Sequence, residues 1–304
     1  MQLYFSNSRN FGDALNAWMW PKLIPEVLAS DSNDLFVAIG TLLNDKVPAE
    51  PKKAVFGSGV GYGDRPAVID DRWKIYCVRG PLSANTLGLN PDMAVTDPAA
   101  LVSVLPHSEL APTGRVAFIP HWRSANYWDW DGLCKSVNID YINPEWEVSK
   151  VLDRIRQSRL VVTEAMHGAI LADCYRVPWI PVRMYEHILD YKWLDWCASM
   201  NLEYQPETLP PIYFGNRRIA IRLLRARQYI KSASSRAESI YDSSWGTLRS
   251  GWRRVVREDD IAIAHQLRTI SETVNPTLSS ESILDDRISE LQHRLDMLRA
   301  DYAR

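Results

Sequence analysis

Residues 161–172 read Val-Val-Thr-Glu-Ala-Met-His-Gly-Ala-Ile-Leu-Ala. The first three residues are β-branched, which is typical of a buried strand. From His167-Gly168 onward, small and aliphatic residues favour a helix. A strand that passes directly into a helix is the repeating unit of a parallel α/β sheet. The turn between them falls at the carboxyl end of the strand, where open α/β sheets bind their ligands.

The same alternation extends over the preceding part of the chain. Apolar runs predict strands at 35–39, 54–56, 74–78, 116–119, 139–142, 160–163 and 179–182, and the stretches between them predict helices at about 13–20, 81–88, 146–158 and 167–175. A polar, proline-containing stretch at 105–114 separates two such sets and is typical of a linker. We therefore predict an α/β fold with an N-terminal lobe over 1–105, a second lobe over 112–210 and a helical extension over 211–304.

Composition excludes several classes of protein. The chain has 304 residues, of which 46% are apolar and 24% are charged, the balance of an ordinary globular protein. No apolar run reaches the roughly 18 residues that a membrane span needs, and the N-terminus lacks a signal-peptide pattern. The four cysteines form no C-x-x-C pair, so neither a zinc site nor a disulfide framework is indicated. We expect a cytoplasmic protein without a metal.

A strongly basic segment lies near the end of the chain. Residues 215–257 carry eleven Lys and Arg against two acids, a net +9 within a chain whose net charge is -2. Such a patch indicates an anionic partner such as a membrane surface, although a solvated helix face has the same pattern. Within it, 217–230 fits a basic amphipathic helix.

The C-terminal tail carries a heptad seam. Its apolar positions are spaced 4, 3, 4, 3, 4, which fits about three heptads. The seam predicts either a self-association helix, and hence a homo-oligomer, or a helix that packs onto the basic helix of its own chain. The seam residues are Leu284, Ile288, Leu291, Leu295, Leu298 and Tyr302.

The first candidate site motif follows the first strand, where residues 8–16 read SRNFGDALN. A glycine turn at a helix start points backbone N–H groups into a cleft and suits a phosphate or carboxylate. Asp13 and Asn16 lie on the first helical turn, where they can bind hydroxyls. Helix capping by Asn10 and a turn permitted by Gly12 are the structural alternative.

Three further loops follow predicted strands. The glycine loop 57–63 includes Gly57 and Gly59 and suits close backbone approach to a ligand, although its spacing is not that of a dinucleotide fingerprint. Arg79 ends a strand, and its planar guanidinium group suits a carboxylate or phosphate ligand. The alternative is a salt bridge within the lobe. His121 and Arg123 have the same placement in the second lobe. They are followed by aromatic residues that can stack on the apolar faces of sugars, namely Trp122, Tyr127, Trp128 and Trp130.

His167 begins the helix after the strand at 160–163. A histidine at a helix N-terminus is disfavoured as a cation, and the neighbouring Glu164 can restore its proton. That arrangement suits a general acid, although a lone histidine often has only a structural role.

In their order, these motifs resemble the polysaccharide pyruvyltransferase family. The resemblance is carried by the motif at 10–16, the glycine loop, Val78-Arg79-Gly80-Pro81, and Met166-His167-Gly168 followed by Ala172 and Val177-Pro178. It covers about residues 1–200 and is greatest to the ketal pyruvyltransferases of bacterial exopolysaccharide synthesis of the succinoglycan type.

The resemblance implies two Rossmann-like lobes, similar to those of GT-B glycosyltransferases, with a cleft between them. The donor would be phosphoenolpyruvate (PEP) as a co-substrate, without a resident cofactor. The acceptor would be a sugar of a lipid-linked repeat unit, and the product a cyclic pyruvate ketal. Many members have an arginine two residues before the motif histidine, where this chain has Ala165. We infer that Arg79 and Arg123 supply that charge.

The residues suggest roles in this chemistry. We expect His167 to protonate the methylene carbon of PEP, with Glu164 tuning its protonation. Asp13 would take the proton of the attacking hydroxyl, and His121 would stabilise or protonate the departing phosphate. The predicted substrate-binding residues are Asn10, Gly12, Asn16, Gly57, Gly59, Arg79, Arg123 and Gly168.

Two other functions share much of this pattern. A GT-B-type glycosyltransferase using a nucleotide sugar has the same fold and cleft, and a non-catalytic subunit of a polysaccharide assembly complex would use the heptad tail. A lipid-linked acceptor would place the enzyme at the inner face of the cytoplasmic membrane, held there by the basic segment. No nucleic-acid-binding motif accompanies that segment, so we expect no nucleic-acid partner.

Overall fold

The computed structural model describes residues 1–64, 66–107, 109–213 and 258–302. The predicted basic helix and the rest of the basic segment therefore lie outside the described residues. Two parallel sheets organise the chain. The first has the order β1-β2-β3-β4, with β1 at Gln2–Tyr4, β2 at Leu35–Val37, β3 at Lys53–Phe56 and β4 at Trp73–Cys77.

The second sheet has the order β6-β5-β7-β8-β9 and is also parallel. Its strands are β5 (Val116–Ile119), β6 (Asp140–Tyr141), β7 (Leu160–Thr163), β8 (Trp179–Arg183) and β9 (Glu207–Thr208). The predicted α/β class and the predicted strands are confirmed, apart from small differences at their ends. The two-residue β9 was not predicted because 207–208 has no apolar run.

Side-chain alternation along the strands divides the interior into three clusters. In β2, Phe36 joins a central cluster and Val37 an outer one; in β5, Ile119 joins the central cluster and Phe118 another outer one. One face of each sheet therefore contributes to the same continuous core. This shared core fixes the two sheets against each other, which a cleft between them requires.

Seven helices of the first 213 residues connect or cover the strands. They are α1 (Phe11–Leu23), α2 (Pro25–Leu28), α3 (Pro81–Thr86), α4 (Trp130–Ser136), α5 (Val148–Gln157), α6 (Met166–Cys174) and α7 (Asp190–Ser199), with 3-10 turns at Pro91–Met93, Pro98–Val104 and Ser124–Asn126. α5 is amphipathic and buries Val148, Val151, Leu152 and Ile155, whereas α6 is buried on nearly every side. α4 and α7 were not predicted because aromatic and charged residues mask their apolar periodicity.

The C-terminal helices return to the two sheets. α8 (Glu258–Thr273) packs on α4 and β7, where its Ile263 and Leu267 are buried. α9 (Glu281–Tyr302) packs on β4, on α2 and on the 3-10 turn Pro98–Val104. In the described part of the extension, α8 therefore packs against the second sheet and α9 against the first.

The residues of the heptad seam pack within the chain. Leu284, Leu291, Leu295 and Leu298 are buried in the central core, and Ile288 and Tyr302 pack against it. The seam is thus covered by the N-terminal part of the same chain, and its leucines are not free to form a coiled coil. The spacing predicts an apolar stripe correctly, but it does not specify what covers that stripe.

Candidate active site

A cleft opens where the carboxyl ends of strands from both sheets meet. The segments after β1 and β2 border it from the first sheet, and those after β5 and β7 from the second. Ligands of parallel α/β sheets bind at such an edge. The residues lining the cleft are Ser6, Ser8, Asn10, Asp13, Gly40, Thr41, Leu42, Tyr62, His121, Trp122, Arg123, Ala165, Met166, His167 and Lys192.

The start of α1 brings Asp13 into the cleft. Asn10 caps the helix because its side-chain oxygen accepts from Gly12 N at 2.9 Å, while its amide donates to Asp13 Oδ2 at 3.0 Å. Ser8 also donates to this carboxylate. Burial raises the pKa of Asp13 above its ordinary value, opposed by the Ser8 hydrogen bond and the charge of His167. Asn10 therefore has the capping role, and it also holds Asp13.

His167, the second residue of α6, is held from two sides. A Cβ at Gly12 would lie 2.2 Å from His167 Nδ1, so only glycine leaves room for the ring at that point of α1. On the other side, His167 Nε2 lies 3.7 Å from Asp97 Oδ2. Gly12 is thus a residue of close approach, and the carboxylate beside the ring belongs to Asp97.

His121 lies beside a second histidine. The ring centroids of His121 and His187 are 4.9 Å apart. Burial, together with the charges of Lys192 and Arg123, lowers the pKa of both rings, well below the usual value for His121 and to about 4 for His187. Both are therefore neutral at pH 7. His121 Nδ1 accepts from Arg123 N at 3.3 Å, which places the ring proton on Nε2.

Two cations line the same cleft. Arg123 is exposed and its guanidinium lies 5.2 Å from the centroid of the Trp122 ring. Lys192, on α7, is almost buried, and its Nζ donates to the hydroxyl of Tyr62 at 3.3 Å. A cleft with an exposed arginine and a buried lysine attracts an anionic ligand.

The hydrogen-bond partners of Glu164 in the structure differ from the predicted partner, His167. Its carboxylate accepts from the backbone N–H groups of His121 at 3.3 Å and Met184 at 2.9 Å, and also from Ser124. Burial raises the pKa of Glu164 to about 7. The prediction that Glu164 tunes His167 was wrong in its geometry, because the side chain fixes the segments after β5 and β8.

Arg79 is a buried ion-pair residue. It is fully buried and donates from Nε to Asp195 Oδ2 at 3.1 Å, from Nη1 to Thr41 at 3.0 Å and from Nη2 to Val60 O at 3.2 Å. All its groups are used within the protein, so the salt-bridge alternative is the one found. Its partner Thr41 lines the cleft, whereas Arg79 itself is not among the lining residues.

Asn16 is also structural. Its amide donates to Ile39 O at 2.9 Å and its side-chain oxygen accepts from Ile39 N at 3.1 Å and from Trp20 at 3.0 Å. This pairing ties α1 to the end of β2. Asn16 therefore does not offer its amide to a substrate.

Three predicted glycines are required for packing and are not among the residues that line the cleft. A Cβ would meet Pro98 at Gly57, the Arg79 guanidinium at Gly59 and Thr163 at Gly168. Of the predicted aromatic residues, Trp128 and Trp130 are buried in the second outer cluster, and Trp122 lines the cleft. The loop 57–63 still contributes to the cleft through Tyr62.

Sequence reasoning missed Lys192, Asp97, Thr41 and Tyr62. Lys192 lies on a helix that was not predicted. Asp97 stands directly before Pro98, and an Asp-Pro pair is a known helix-start signal that could have drawn attention to it. Its side chain accepts from Ala99 N at 3.0 Å and caps the 3-10 turn. Tyr62 lies in the predicted glycine loop but was not singled out there, and Thr41 has no signal in the sequence.

The two parallel sheets border one cleft, which holds a histidine at a helix start and two cations, and together they define an α/β protein with a cation-bearing cleft. The comparisons with known proteins are more specific. The family model for polysaccharide pyruvyl transferase matches residues 3–184. The succinoglycan biosynthesis protein ExoV of Rhizobium meliloti (strain 1021) is 41% identical over 215 residues, covering 69% of this chain and 68% of that protein. The chain therefore belongs to the polysaccharide pyruvyl transferase family.

The described residues include no helix with the length and apolar character needed to cross a bilayer.

Proposed function

We propose that this chain transfers the pyruvyl group of PEP to two hydroxyls of one sugar in a lipid-linked exopolysaccharide repeat unit. The product is a cyclic pyruvate ketal, and phosphate is released. Family membership and the similarity to a succinoglycan biosynthesis protein support pyruvyl transfer in exopolysaccharide synthesis. The observation that carries the proposal is that His167, Asp13, Arg123 and Lys192 share one cleft. A GT-B-like pair of lobes is the matching architecture, with one lobe built on each sheet.

The charges of the cleft suit PEP. PEP carries a phosphate and a carboxylate, so it needs cationic partners and helix N-termini. Arg123 and Lys192 provide two positive charges, and the start of α6 lies in the same cleft at Ala165 and Met166. These groups replace the arginine that many members have at the position of Ala165. Arg79, our earlier candidate, is excluded from direct binding by its buried pairing.

The reaction needs one proton at carbon and two new C–O bonds. His167 donates its proton to C3 of PEP, and the electron pair of the C2–C3 double bond forms the new C–H bond. The first sugar hydroxyl then adds to C2, and the C–O bond to phosphate breaks with its electron pair on the leaving oxygen. The second hydroxyl adds to C2 and closes the ketal. The two hydroxyl hydrogens balance the proton at C3 and the proton on the released phosphate.

Asp13 is the proposed base for the attacking hydroxyl. Burial raises its pKa, which brings a carboxylate closer to the range in which it exchanges protons with a sugar hydroxyl. His121 has a different role from the predicted phosphate acid. Because its ring is neutral at pH 7, it donates a hydrogen bond from Nε2 and does not protonate the phosphate.

The acceptor would be reached at a membrane surface. The basic segment 215–257, outside the described residues, carries the charge expected of a peripheral contact with anionic lipid. Reversing those charges should release the protein from vesicles that contain an anionic lipid.

A binding comparison tests the donor. Calorimetry with PEP, UDP-sugars and GDP-sugars should show binding of PEP only. Lys192→Gln and Arg123→Gln should each weaken PEP binding about tenfold or more, because a hydrogen bond to a charged group contributes about 1.5–3 kcal/mol. Lys135→Gln and Arg115→Gln are matched controls, because both side chains are largely exposed and form surface pairs with Asp131 and Asp140.

Each outcome has a definite meaning. Selective PEP binding that depends on Lys192 and Arg123 and not on the control residues supports the proposal. Selective binding of a nucleotide sugar would make the chain a glycosyltransferase and contradict it. Binding of none of these ligands, by a folded protein supplied with acceptor, would favour the non-catalytic subunit.

A further inference from the structure

Two buried polar atoms face each other behind the cleft without a hydrogen-bond partner. They are His167 Nε2 and Asp97 Oδ2, and they lie 3.7 Å apart. Buried polar atoms without a partner are rare because the loss of hydration is not compensated. The separation is about an ångström longer than a charge-assisted hydrogen bond. A small movement of the ring therefore satisfies both atoms at once.

The Asp97 carboxylate is held in a fixed place. The residue is fully buried, and its Oδ1 accepts from Ala99 N at 3.0 Å at the start of the 3-10 turn Pro98–Val104. That turn packs on α6, the helix that carries His167. The carboxylate and the imidazole thus belong to two elements packed together in the central core.

The orientation of the ring distinguishes its two nitrogens. Nε2 is buried and directed toward Asp97. The ring lines the cleft, and Nδ1, unlike Nε2, is not one of the buried atoms without a partner, so Nδ1 is the nitrogen left to meet a ligand. Gly12 leaves room for this edge of the ring, because a Cβ at that position would lie 2.2 Å from Nδ1.

We propose that Asp97 is a positioning residue for His167: it accepts the Nε2–H hydrogen bond and so presents Nδ1–H as the proton that is delivered to the substrate. This inference rests on the proposed function, in which His167 is the proton donor. Asp97 does not touch substrate. It stabilises the imidazolium form and sets the ring orientation from behind.

Other charged groups act on the same ring. Asp13 faces it from α1 and has an attractive electrostatic interaction with it. Arg123 and Lys192 share the cleft and disfavour a further positive charge there until an anionic substrate arrives. Asp97 supplies a negative charge on the side away from the cleft, where the substrate does not compete.

The test is Asp97→Asn, which retains a side-chain oxygen for Ala99 N and removes the charge. Asp97→Asn removes the negative charge that faces Nε2 and so disfavours the protonated ring. The basic limb of the kcat profile should therefore move to lower pH, and PEP affinity should stay within about threefold. Asn90→Ala is the control, because it removes the equivalent cap of the 3-10 turn Pro91–Met93 and leaves the kcat profile in place.

A measurement without turnover separates this inference from the proposed function. NMR of the His167 ring C–H signals should show that the imidazolium form persists to higher pH in the wild type than in Asp97→Asn. If the two proteins titrate over the same pH range, the inference is overturned even when PEP is turned over. If the wild type does not use PEP but the titrations differ, the proposed function fails and the pairing of Asp97 with His167 stands.

Two further variants keep the test decisive. Asp97→Ser retains a capping oxygen without charge and replaces Asp97→Asn if the latter does not fold. In a His167→Ala background, Asp97→Asn should have no additional effect on kcat, because the residue acts through the ring. An additional loss of tenfold or more in that background would show an action that does not pass through His167.

Discussion

Gly12→Ala should inactivate the protein without unfolding it. The new Cβ would lie 2.2 Å from His167 Nδ1 and 2.7 Å from Cγ, whereas an ordinary contact begins at about 3.4 Å. The ring must therefore move by about an ångström, away from the position between Gly12 and Asp97. A misplacement of about 1 Å in a reacting group costs about a hundredfold in rate.

The fold should tolerate the same change. Gly12 lies in the first turn of α1, and alanine is favoured over glycine in a helix by about 1 kcal/mol. Overpacking costs about 1–3 kcal/mol, so we expect a net loss of at most about 2 kcal/mol in the free energy of unfolding. Urea denaturation measures this loss, and phosphate release from PEP in the presence of acceptor measures the rate.

Gly132→Ala is the matched control. It also lies in a helix, α4, and its Cβ would meet the carboxylate of Asp129 at 2.7 Å. That contact is the end of a side chain that can rotate, and it lies outside the cleft, so the rate should be unchanged. Wild-type turnover by Gly12→Ala would refute the placement of His167 as the proton donor.

Three further predictions follow from the buried groups. Arg79→Ala leaves the Asp195 carboxylate buried without its ion partner and should lower the free energy of unfolding by about 3–5 kcal/mol in urea titrations; a loss below about 1 kcal/mol would contradict the buried pair. Leu291→Ala on α9 should cost about 2–5 kcal/mol at an unchanged oligomeric state, and a change of mass in solution without destabilisation would indicate that the seam joins two chains. Because burial raises the pKa of Glu164 from 4.5 to about 7, the folded state binds more protons than the unfolded state between these values. The wild type should therefore lose up to about 3 kcal/mol of stability as pH rises from 4.5 to 7, whereas Glu164→Gln should lack this loss; parallel pH profiles would contradict it.

The sequence predicts the fold well because its signals are local. A strand of a parallel sheet is covered on both faces, so its residues must be apolar in succession. In 160–163 all four residues are buried, and this pattern can be seen in the four letters alone. Asn10 and Pro81 mark helix starts for equally local reasons. The strand ends then indicate which loops share one edge, which is why Asp13, His121, Arg123 and His167 were found together.

The pairing of side chains is not local, and here the sequence is insufficient. Arg79 meets a carboxylate that lies 116 residues away, so its burial cannot be read from the residues around it. Glu164 was assigned to His167 because the two are close in the chain, but its partners are the backbone N–H groups of His121 and Met184 and the side chain of Ser124. Asp97, 70 residues before His167, meets the ring only because the 3-10 turn packs on α6.

The most direct test of the account is transfer of a labelled pyruvyl group. PEP labelled with 13C at C3 is incubated with the protein and a lipid-linked oligosaccharide acceptor, and the carbon is followed by NMR. The account predicts that the methylene signal of PEP is replaced by a methyl signal attached to a ketal carbon of the saccharide, with one phosphate released for each ketal. It also predicts that His167→Ala forms this signal about a hundredfold or more slowly than the wild type does. Transfer of a sugar from a nucleotide donor to the same acceptor, with PEP unchanged, would contradict the account.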